Sequence, residues 1–515
     1  MSRSHNYLAI DLGAESGRVI LGQFDEGRLT LWEMHRFSNG PVRLAAQANA
    51  CGEVSSTSKV VLQWDILRLW AEIKQGVALS ANKWGKEILG IGIDTWGVDF
   101  GLLDRNGVLI SNPYHYRDSR TDGMLDEAFR RVPRSEIFQH TGIQFMQLNS
   151  LYQLLAMVID RSPALQHAET FLTIPDLLNY WLTGRAVCEF TNATTTQCYN
   201  PVLMDWDRSL LSRMGIPSHI FPEIVPPGTN LGKLLSYVTD ETGLDSQAGL
   251  SVIAPASHDT GSAVAAVPAE KPGFLWISSG TWSVVGVEWP KPVIHSQSLV
   301  YNFTNEGGVF DTFRFSRNVM GLWLVQECRR TWASQGADLS YTELTQMADQ
   351  TEPFQSVIDP DYAEFFKPGD MPVRIRDFCQ RTGQIVPDNK AAVIRCVLES
   401  LALKYRWVLE RLEEMVGQRL EPIHIIGGGT QNRKLNQFTA DATGRRVVSG
   451  PVEATAIGNL LMQAIALGTI RTLQEGRLLV RDSFPPAVFE PTSQTGWEAA
   501  YQRMLDVMTY LVSAN

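Results

Sequence analysis

The chain has 515 residues, of which 44% are hydrophobic and 19% charged. A single hydrophobic core stops growing at about 250–300 residues, so we predict two large domains. The net charge of −10 argues against nucleic acid or an anionic membrane as the main partner, because both require a basic surface. A small anionic ligand bound by backbone amides stays compatible with this charge.

Targeting and cysteine patterns are both weak in this sequence. No run of about 18 uninterrupted apolar residues occurs, and residues 1–9 have no apolar signal region, so we expect a soluble, cytoplasmic protein. The cysteines contain no C-x-x-C pair, which indicates neither a zinc site nor a disulfide scaffold. We expect reduced thiols at all six positions: Cys51, Cys188, Cys198, Cys328, Cys379 and Cys396.

Short apolar runs alternate with helical patterns along the chain, which is typical of an α/β protein. Near the start we predict three adjacent strands, a surface loop over Ala45–Lys59 and an amphipathic helix over Asp65–Asn82. A buried strand over Ile88–Asp94 and a hairpin across Asn106-Gly107 follow. The three first strands are Tyr7–Leu12, Arg18–Phe24 and Leu29–His35.

The segment from Phe274 to Trp289 resembles the start of the chain. One offset of 267 positions carries Ile10 to Ile277 and Gly13 to Gly280, and also Ser16 to Ser283. The repeat predicts a duplicated domain with hairpins in matching register, although two ordinary Gly/Ser turns could also coincide in this way. We place the domain boundary near residue 255, after a Pro- and Gly-rich stretch.

The second half contains a long helix over Ala391–Gly417 and a buried strand over Ile423–Ile426. The strand runs into Gly427–Gly429, with a helix start at residues 430–432 where a nucleotide could approach the backbone. A glycine triplet alone needs no ligand. The Walker A pattern is absent, since Gly232-Lys233 lacks its spacing and its following hydroxyl residue.

Asp11–Arg18 (DLGAESGR) lies on a strand-to-strand turn, where glycines let backbone N–H groups face an anion. This pattern predicts a phosphate-binding loop, with Asp11 holding Mg²⁺ through water. The alternative is a plain turn that Asp11 caps. Ser278–Thr281 (SSGT) repeats this glycine-containing turn without the acid, so that two such loops could bind one polyphosphate.

Ser257–Thr260 (SHDT) follows the apolar residues 252–254, so a short strand delivers an acid to its end. Transfer of a phosphoryl group to a hydroxyl needs a carboxylate that accepts the alcohol proton. Asp259 is the candidate base. An N-cap role for this aspartate and a structural role for His258 are the alternatives.

Asp94–Asp99 (DTWGVD) ends a buried strand with acids, a hydroxyl and an aromatic residue beside a glycine. Such a mixture suits a polyol pocket, with Trp96 stacking on a sugar and Gly97 allowing its approach. A well-packed turn with Trp96 in the core is an equal alternative.

Together these segments resemble the FGGY family of carbohydrate kinases, and the matching stretches lie in order over nearly the whole chain. The motifs that carry the resemblance are GIDTWGVDF (92–100), YRDSRT (116–121), TNATTTQ (191–197), SHDT (257–260), SSGTWS (278–283), TNEGG (304–308), VMGLWLVQ (319–326) and GPVE (450–453). The resemblance implies an α/β fold of two ribonuclease-H-like (actin-like ATPase) domains with an interdomain catalytic cleft. We assign these domains to residues 1–254 and 255–515.

The resemblance also implies the ligands and the residues that contact them. The expected reaction transfers the γ-phosphate of ATP, with Mg²⁺, to the 1-hydroxyl of a ketose; L-rhamnulose is the expected sugar, and L-fuculose, L-xylulose and a furanone signal are alternatives. A nucleotide-binding sensor of the same fold is a further alternative, which retention of Asp259 disfavours. The implied ATP contacts are Ala14, Glu15, Ser16, Gly17, Arg18, Thr281, Gln326 and Gly428. The implied sugar contacts are Gly97, His258, Asp259, Thr260 and Asn318, and the residue pattern at 94–99 adds Trp96.

Three positions depart from the family pattern. Glu15 stands where a small hydroxyl residue is usual and would add negative charge beside the phosphates unless it points outward. The loop Ala45–Lys59 looks longer than usual, and Thr430 with the segment Thr439–Thr443 lacks cysteines often seen near the adenine site.

Overall fold

A computed structural model describes residues 4–46, 59–244 and 249–513. Two compact units are present. The first contains residues 1–266, 288–315 and 454–483, and the second contains residues 267–287, 316–453 and 484–515. The predicted single boundary at 254/255 differs from this division, because two later segments of the chain pack into the first unit.

Strands occur along the whole of the described chain. In chain order they are β1 His5–Leu12, β2 Ser16–Asp25, β3 Arg28–Ser38, β4 Pro41–Ala46, β5 Lys59–Trp64, β6 Ile88–Thr95, β7 Phe100–Leu103, β8 Thr170–Thr173, β9 Cys188–Glu189, β10 Tyr199–Asn200, β11 Asp205–Trp206, β12 Ile224–Val225, β13 Thr229–Gly232, β14 Ser251–Ala254, β15 Leu275–Ser279, β16 Trp282–Trp289, β17 Thr304–Gly307, β18 Phe313–Met320, β19 Ile423–Ile426, β20 Val447–Ser449 and β21 Ala487–Phe489.

The α-helices alternate with these strands. They are α1 Ile66–Trp84, α2 Met124–Arg131, α3 Arg134–Thr141, α4 Ser150–Ile159, α5 Pro163–Gln166, α6 Ile174–Thr183, α7 Phe190–Ala193, α8 Arg208–Met214, α9 Ser236–Thr242, α10 Asp259–Ala265, α11 Ser296–Val300, α12 Trp323–Ser334, α13 Tyr341–Asp349, α14 Met371–Arg381, α15 Lys390–Val416, α16 Arg433–Thr443, α17 Ala454–Ala466, α18 Leu473–Ser483 and α19 Trp497–Ser513.

The first unit is built on a sheet with the strand order β13-β14-β6-β1-β2-β3. Strands β14, β6 and β1 are parallel, whereas β2 and β3 return antiparallel. Helix α17 contacts β1 and β6 and also packs on α10. The fit is close, since a Cβ added at Gly458 of α17 would lie 1.7 Å from the Ser262 carbonyl oxygen. Residues 454–483 therefore belong to the first unit despite their late position in the chain.

The second unit repeats this arrangement in the strand order β16-β15-β19-β20-β21. Strands β15, β19 and β20 are parallel, and β16 and β21 are antiparallel to their neighbours. The order matches β2-β1-β6-β14-β13 of the first unit strand for strand. The predicted duplication is therefore confirmed.

The hairpins at the centre of the two sheets differ by one residue in their turns. Ile10 pairs with Val19, but its counterpart Ile277 pairs with Val285, which is one position short of the offset of 267. The backbone N–H of Gly13 bonds to Ser16, and that of Gly280 bonds to Trp282. The predicted match in register beyond the turn was wrong, because the second turn is one residue shorter.

Most of the other predicted elements lie close to their observed bounds. The Asp65 side chain caps α1 by accepting from the N–H of Arg68, and Gly417 ends α15 in the left-handed conformation. The predicted hairpin across Asn106-Gly107 is corrected: the turn forms, but β7 pairs with β8 along its length and only a single bridge joins it to the following segment. The loop predicted over Ala45–Lys59 begins and ends in the paired strands β4 and β5, and residues 47–58 lie outside the described residues.

Among the described residues, no helix is long and apolar enough to cross a membrane. The five cysteines within the described ranges are all buried and form no disulfide. The sixth, Cys51, lies outside those ranges.

Candidate active site

Three loops meet at one edge of the first sheet. They follow the parallel strands β1, β6 and β14, whose carboxyl ends lie at the same edge. The N–H of Thr95 donates to the Ser257 carbonyl at 2.9 Å, and that of Trp96 donates to the Leu12 carbonyl at 3.2 Å. One aspartate lies near the carboxyl end of each strand, and we call this set the acidic edge: Asp11 in β1, Asp94 in β6 and Asp259 at the start of α10, which follows β14.

The carboxylates of the acidic edge influence each other. Burial and the Asp11 charge hold the pKa of Asp94 well above its usual range. Desolvation raises the pKa of Asp259; the neighbouring His258 opposes this shift and Asp11 adds to it. Asp94 accepts a hydrogen bond from Asn459 at 2.6 Å through Oδ2, while its buried Oδ1 has no donor among the described residues.

A hydrated cation would relieve this accumulation of negative charge. Within the described ranges, no group of three or more His, Cys, Asp or Glu residues has the arrangement to hold a metal ion directly. The orphaned Asp94 Oδ1 is an acceptor that would fit a water molecule of such a cation.

The first loop is a tight turn in which Gly17 packs closely, since an added Cβ would lie 2.3 Å from the Phe37 ring. Arg18 contacts Asp11 with an N–O distance of 2.5 Å. Asn39 brackets the turn, because its backbone N–H donates to the Glu15 carbonyl and its side chain donates to the Gly13 carbonyl. The Glu15 side chain is exposed, which is the outward orientation that leaves the turn free of its charge.

The second loop is organised by a buried carboxylate. Asp99 accepts hydrogen bonds from the indole N–H groups of Trp64 at 2.6 Å and Trp96 at 3.0 Å, and from the Gln153 amide at 2.9 Å. Burial raises the pKa of Asp99 to about 6 against these donors. The residue thus fixes the orientation of both indole rings.

The Trp96 ring is only 5% exposed, and its centroid lies 4.0 Å from that of Trp64. This packing favours the second of the two interpretations of Trp96, a core residue that supports the loop. Gly97 sits against Thr195, with an added Cβ 2.9 Å from the threonine hydroxyl, and Val98 adopts a left-handed φ of 68°. The loop is therefore a rigid turn.

The third loop carries the candidate base. Glu189 accepts from the N–H of Ser257 at 3.0 Å, and the Thr191 hydroxyl accepts from the N–H of His258 at 3.1 Å. Burial raises the pKa of Glu189 to about 7 against several donated hydrogen bonds. Asp259 is the first residue of α10, follows the N-cap position at His258, and keeps a side chain 30% exposed.

Two charged residues that the sequence analysis left without a role surround His258. Arg314 is fully buried and its Nη2 lies 2.8 Å from His258 Nδ1, while Glu306 Oε2 lies 3.1 Å from the same guanidinium nitrogen. Burial raises the pKa of Glu306, but the Arg314 charge and His258 outweigh it and hold the pKa at about 2. Glu306 stands in the TNEGG motif, which was the one signal available in the sequence.

In the second unit, the shorter hairpin turn abuts the start of α12. The N–H of Leu322 donates to the Gly280 carbonyl, and that of Trp323 donates to the Thr281 carbonyl. A Cβ at Gly321 would lie 2.6 Å from the Ser283 hydroxyl, so this glycine allows the close approach. The turn is thereby held rigidly beside α12.

A cavity of about 700 Å³ opens next to this turn. Gln326 lines it, and its buried Oε1 has no hydrogen-bond donor among the described residues. Asn432 caps α16 at its mouth by accepting from the N–H of Leu435 at 3.0 Å. Further lining residues are Gly280, Val325, Tyr341, Thr345, Ile394, Leu398, Gly428, Gly429, Arg433, Gln437 and Phe489.

The predicted site residues fall into two groups. The first unit brings together Asp11, Ala14–Arg18, Trp96, Gly97 and His258–Thr260 around the acidic edge, and the second unit brings Gln326 and Gly428 to the cavity that Gly280, the neighbour of Thr281, also lines. Asn318, predicted to contact the sugar, is a half-buried residue of β18 in the second unit.

A duplicated α/β fold, with glycine turns at both central hairpins and a carboxylate at the start of a helix, defines a nucleotide-dependent phosphotransferase class. The profile of the FGGY family of carbohydrate kinases, N-terminal domain, matches residues 6–265, and that of the C-terminal domain matches residues 275–467. The chain belongs to the FGGY family of carbohydrate kinases.

Curated relatives match over nearly their whole length. The chain is 45% identical over 496 residues to a rhamnulokinase of Bacteroides thetaiotaomicron, covering 96% of this chain and 98% of that protein. It is 40% identical over 489 residues to a rhamnulokinase of Oceanobacillus iheyensis, covering 95% and 99%.

Solved structures support the fold at much lower identity. A ligand-bound xylulose kinase from Lactobacillus acidophilus superimposes with a TM-score of 0.77 at 15% identity, covering 99% of this chain and 98% of that chain. A glycerol kinase from Plasmodium falciparum with ADP gives 0.75 at 17% identity, with the same coverage. The fold is therefore that of two-domain sugar kinases.

Proposed function

We propose that this enzyme transfers the γ-phosphate of ATP to the 1-hydroxyl of L-rhamnulose, forming L-rhamnulose 1-phosphate and ADP. The choice of sugar is supported by relatives named rhamnulokinase that are 38–45% identical over most of the chain. The chemistry is supported by the acidic edge beside the glycine turn of the first unit.

The observation that carries the proposal is the position of Asp259. Its carboxylate is accessible at the first residue of α10, and its pKa is raised by desolvation and by Asp11. A carboxylate of raised basicity is suited to accept the hydroxyl proton as the sugar oxygen attacks phosphorus. The new O–P bond then replaces the bond to the ADP oxygen, and the proton resides on Asp259.

The remaining sugar contacts would come from the same loops. His258 and Thr260 flank the candidate base, and Gly97, which packs against Thr195 in the rigid turn that Asp99 supports, would contact the substrate through its backbone. Asn318 lies in the second unit, and its contact with the sugar stays a prediction. Trp96 acts through its packing, since most of its surface is covered.

ATP would bind in the cavity of the second unit, beside the glycine turn at Gly280. The N–H group of Thr281 would contact the phosphates, and Gly428 would allow close backbone approach beside the adenine ring. A contact of ATP with Ala14–Arg18 of the first unit stays a prediction. The unpartnered Oε1 of Gln326 is an acceptor for the exocyclic amine of adenine. Mg²⁺, held by Asp11 through water, would neutralise charge that develops on the transferred phosphate.

A panel of ketoses and polyols with coupled detection of ADP tests the proposal. We expect the highest kcat/KM with L-rhamnulose and lower values with L-fuculose, L-xylulose and glycerol. A changed contact in such a pocket shifts preference by about 1–3 kcal/mol. A higher kcat/KM with another sugar would reject L-rhamnulose as the substrate while leaving the kinase chemistry in place.

A further inference from the structure

The buried pair Arg314 and Glu306 lies against His258, the residue that precedes the candidate base. Arg314 Nε donates to the Gly307 carbonyl at 2.7 Å, and its Nη2 lies 3.1 Å from Glu306 Oε2 and 2.8 Å from His258 Nδ1. Side-chain exposure is 0% for Arg314 and 8% for Glu306. The guanidinium is therefore anchored in place and presents one N–H group to the imidazole.

This contact determines which nitrogen of His258 carries the proton. A guanidinium has no lone pair and only donates, so a contact of 2.8 Å requires Nδ1 to accept. The ring is then neutral with its proton on Nε2. In the opposite tautomer, Nδ1–H would donate to Glu306 over 3.3 Å and would place its hydrogen against the guanidinium N–H. The shorter contact and the arginine chemistry favour the Nε2–H form.

The Nε2 nitrogen lies close to one oxygen of the candidate base. His258 Nε2 lies 3.4 Å from Asp259 Oδ1. The same oxygen accepts from the Thr260 N–H at 2.5 Å and from the Thr260 hydroxyl at 3.1 Å. Oδ2 receives no hydrogen bond from the part of the chain that the structure describes. The two oxygens of Asp259 therefore differ: Oδ1 already accepts hydrogen bonds from Thr260, whereas Oδ2 is available to accept a proton.

We propose that Glu306 and Arg314 are positioning residues that hold His258 as the Nε2–H tautomer, so that Asp259 is held by Oδ1 and accepts the sugar proton on Oδ2. The proposal rests on the role of Asp259 in the proposed function. Because Glu306 and Arg314 act through the imidazole of His258, we expect their loss to lower kcat and to leave nucleotide binding unchanged.

The wild-type protein provides the first test. Uniform labelling of its nine histidines with ring ¹⁵N, with assignment by loss of one resonance set in His258→Gln, reports the protonation of each ring nitrogen by NMR. We expect an unprotonated Nδ1 and a protonated Nε2 at neutral pH. A protonated Nδ1, in either the other tautomer or the imidazolium, would overturn the proposal. Because the measurement uses the wild-type protein, it does not depend on whether a variant of Glu306 or Arg314 folds.

The second test removes the pair as a unit. Replacing Arg314 alone would leave Glu306 as an unpaired buried charge, which is costly, so the variant is the double substitution Glu306→Gln/Arg314→Met. We expect kcat to fall about 10- to 100-fold, as for other groups that orient an active histidine, with an unchanged KM for ATP. In the variant, Nε2 of His258 should lose its exclusive protonation.

The matched control is a second buried pair of the same unit. Arg477 contacts Glu288 at 2.6 Å and donates to the carbonyls of Val264 and Ala265 at the far end of α10. Glu288→Gln/Arg477→Met makes the same chemical change and should leave kcat within about twofold of wild type, with any loss confined to stability.

The outcomes separate this proposal from the function on which it rests. If Glu306→Gln/Arg314→Met retains the kcat of the control pair, the positioning role is refuted even when Asp259→Asn is inactive. If Asp259→Asn retains turnover, the assignment of the base fails, and the tautomer of His258 is still read independently from the wild-type spectrum.

Discussion

The two glycine turns predict a separable effect on ATP binding. A Cβ added at Gly13 would lie 3.4 Å from the Ser16 carbonyl oxygen, and one at Gly280 would lie 3.6 Å from that of Trp282. Both distances are ordinary van der Waals contacts, and neither glycine has a left-handed φ, so Gly13→Ala and Gly280→Ala should fold normally. The added methyl groups occupy the space through which a phosphate would approach the backbone N–H groups.

A hydrogen bond from a backbone N–H to a charged acceptor contributes about 1.5–3 kcal/mol, which corresponds to about 10- to 100-fold in affinity. We expect each alanine variant to weaken a non-hydrolysable ATP analogue by this factor in isothermal titration calorimetry. Gly40→Ala is the matched control, since no atom lies within 4 Å of its added Cβ. Affinity equal to the control in either variant, at unchanged thermal stability, would refute the participation of that turn.

Three further outcomes follow from packing and charge. Gly458→Ala should lower the free energy of unfolding, measured in urea, by about 3 kcal/mol or more, because its Cβ would lie 1.7 Å from the Ser262 carbonyl oxygen. Gly476→Ala is the control and should lower the free energy of unfolding far less, because its Cβ would lie 3.1 Å from a flexible leucine side chain. Equal losses in the two variants would contradict the packing argument. The pKa of Glu306 falls from 4.5 to about 2 on folding, so its ionisation contributes about 3 kcal/mol above pH 4.5. That contribution is lost as the pH falls toward 2, and Glu306→Gln should show a correspondingly flatter dependence of unfolding free energy on pH; a parallel dependence would contradict the shift. Gln326→Leu should weaken ATP binding about tenfold while leaving the KM for the sugar unchanged, and unaltered ATP affinity would remove Gln326 from the adenine contact.

Local sequence signals predicted the elements whose structure depends on near neighbours. The strand Ile423–Ile426 has its predicted bounds, and the long helix begins and ends within one residue of prediction. Capping residues and alternating apolar runs contain this information within a few positions. The repeat at an offset of 267 likewise predicted the duplicated sheet, because it compares two local patterns.

Features that depend on distant contacts were not accessible in this way. The turn at Gly280 is one residue shorter than that at Gly13, and the apparent match of Ser16 with Ser283 concealed the difference. The placement of residues 454–483 in the first unit depends on the packing of Gly458 against α10. Arg314 reaches His258 from 56 positions away, so no spacing in the sequence could indicate that contact.

We assign Asp259 as the group that accepts the proton of the sugar hydroxyl in an ATP-dependent kinase. The most direct test compares wild type with Asp259→Asn by rapid-quench measurement of L-rhamnulose 1-phosphate formation, with ATP affinity measured on the same samples. Because removal of a general base acts on the transition state, we predict a rate lower by about 10²–10⁴-fold and nearly unchanged ATP affinity. Formation of the product by Asp259→Asn at the wild-type rate would contradict the account.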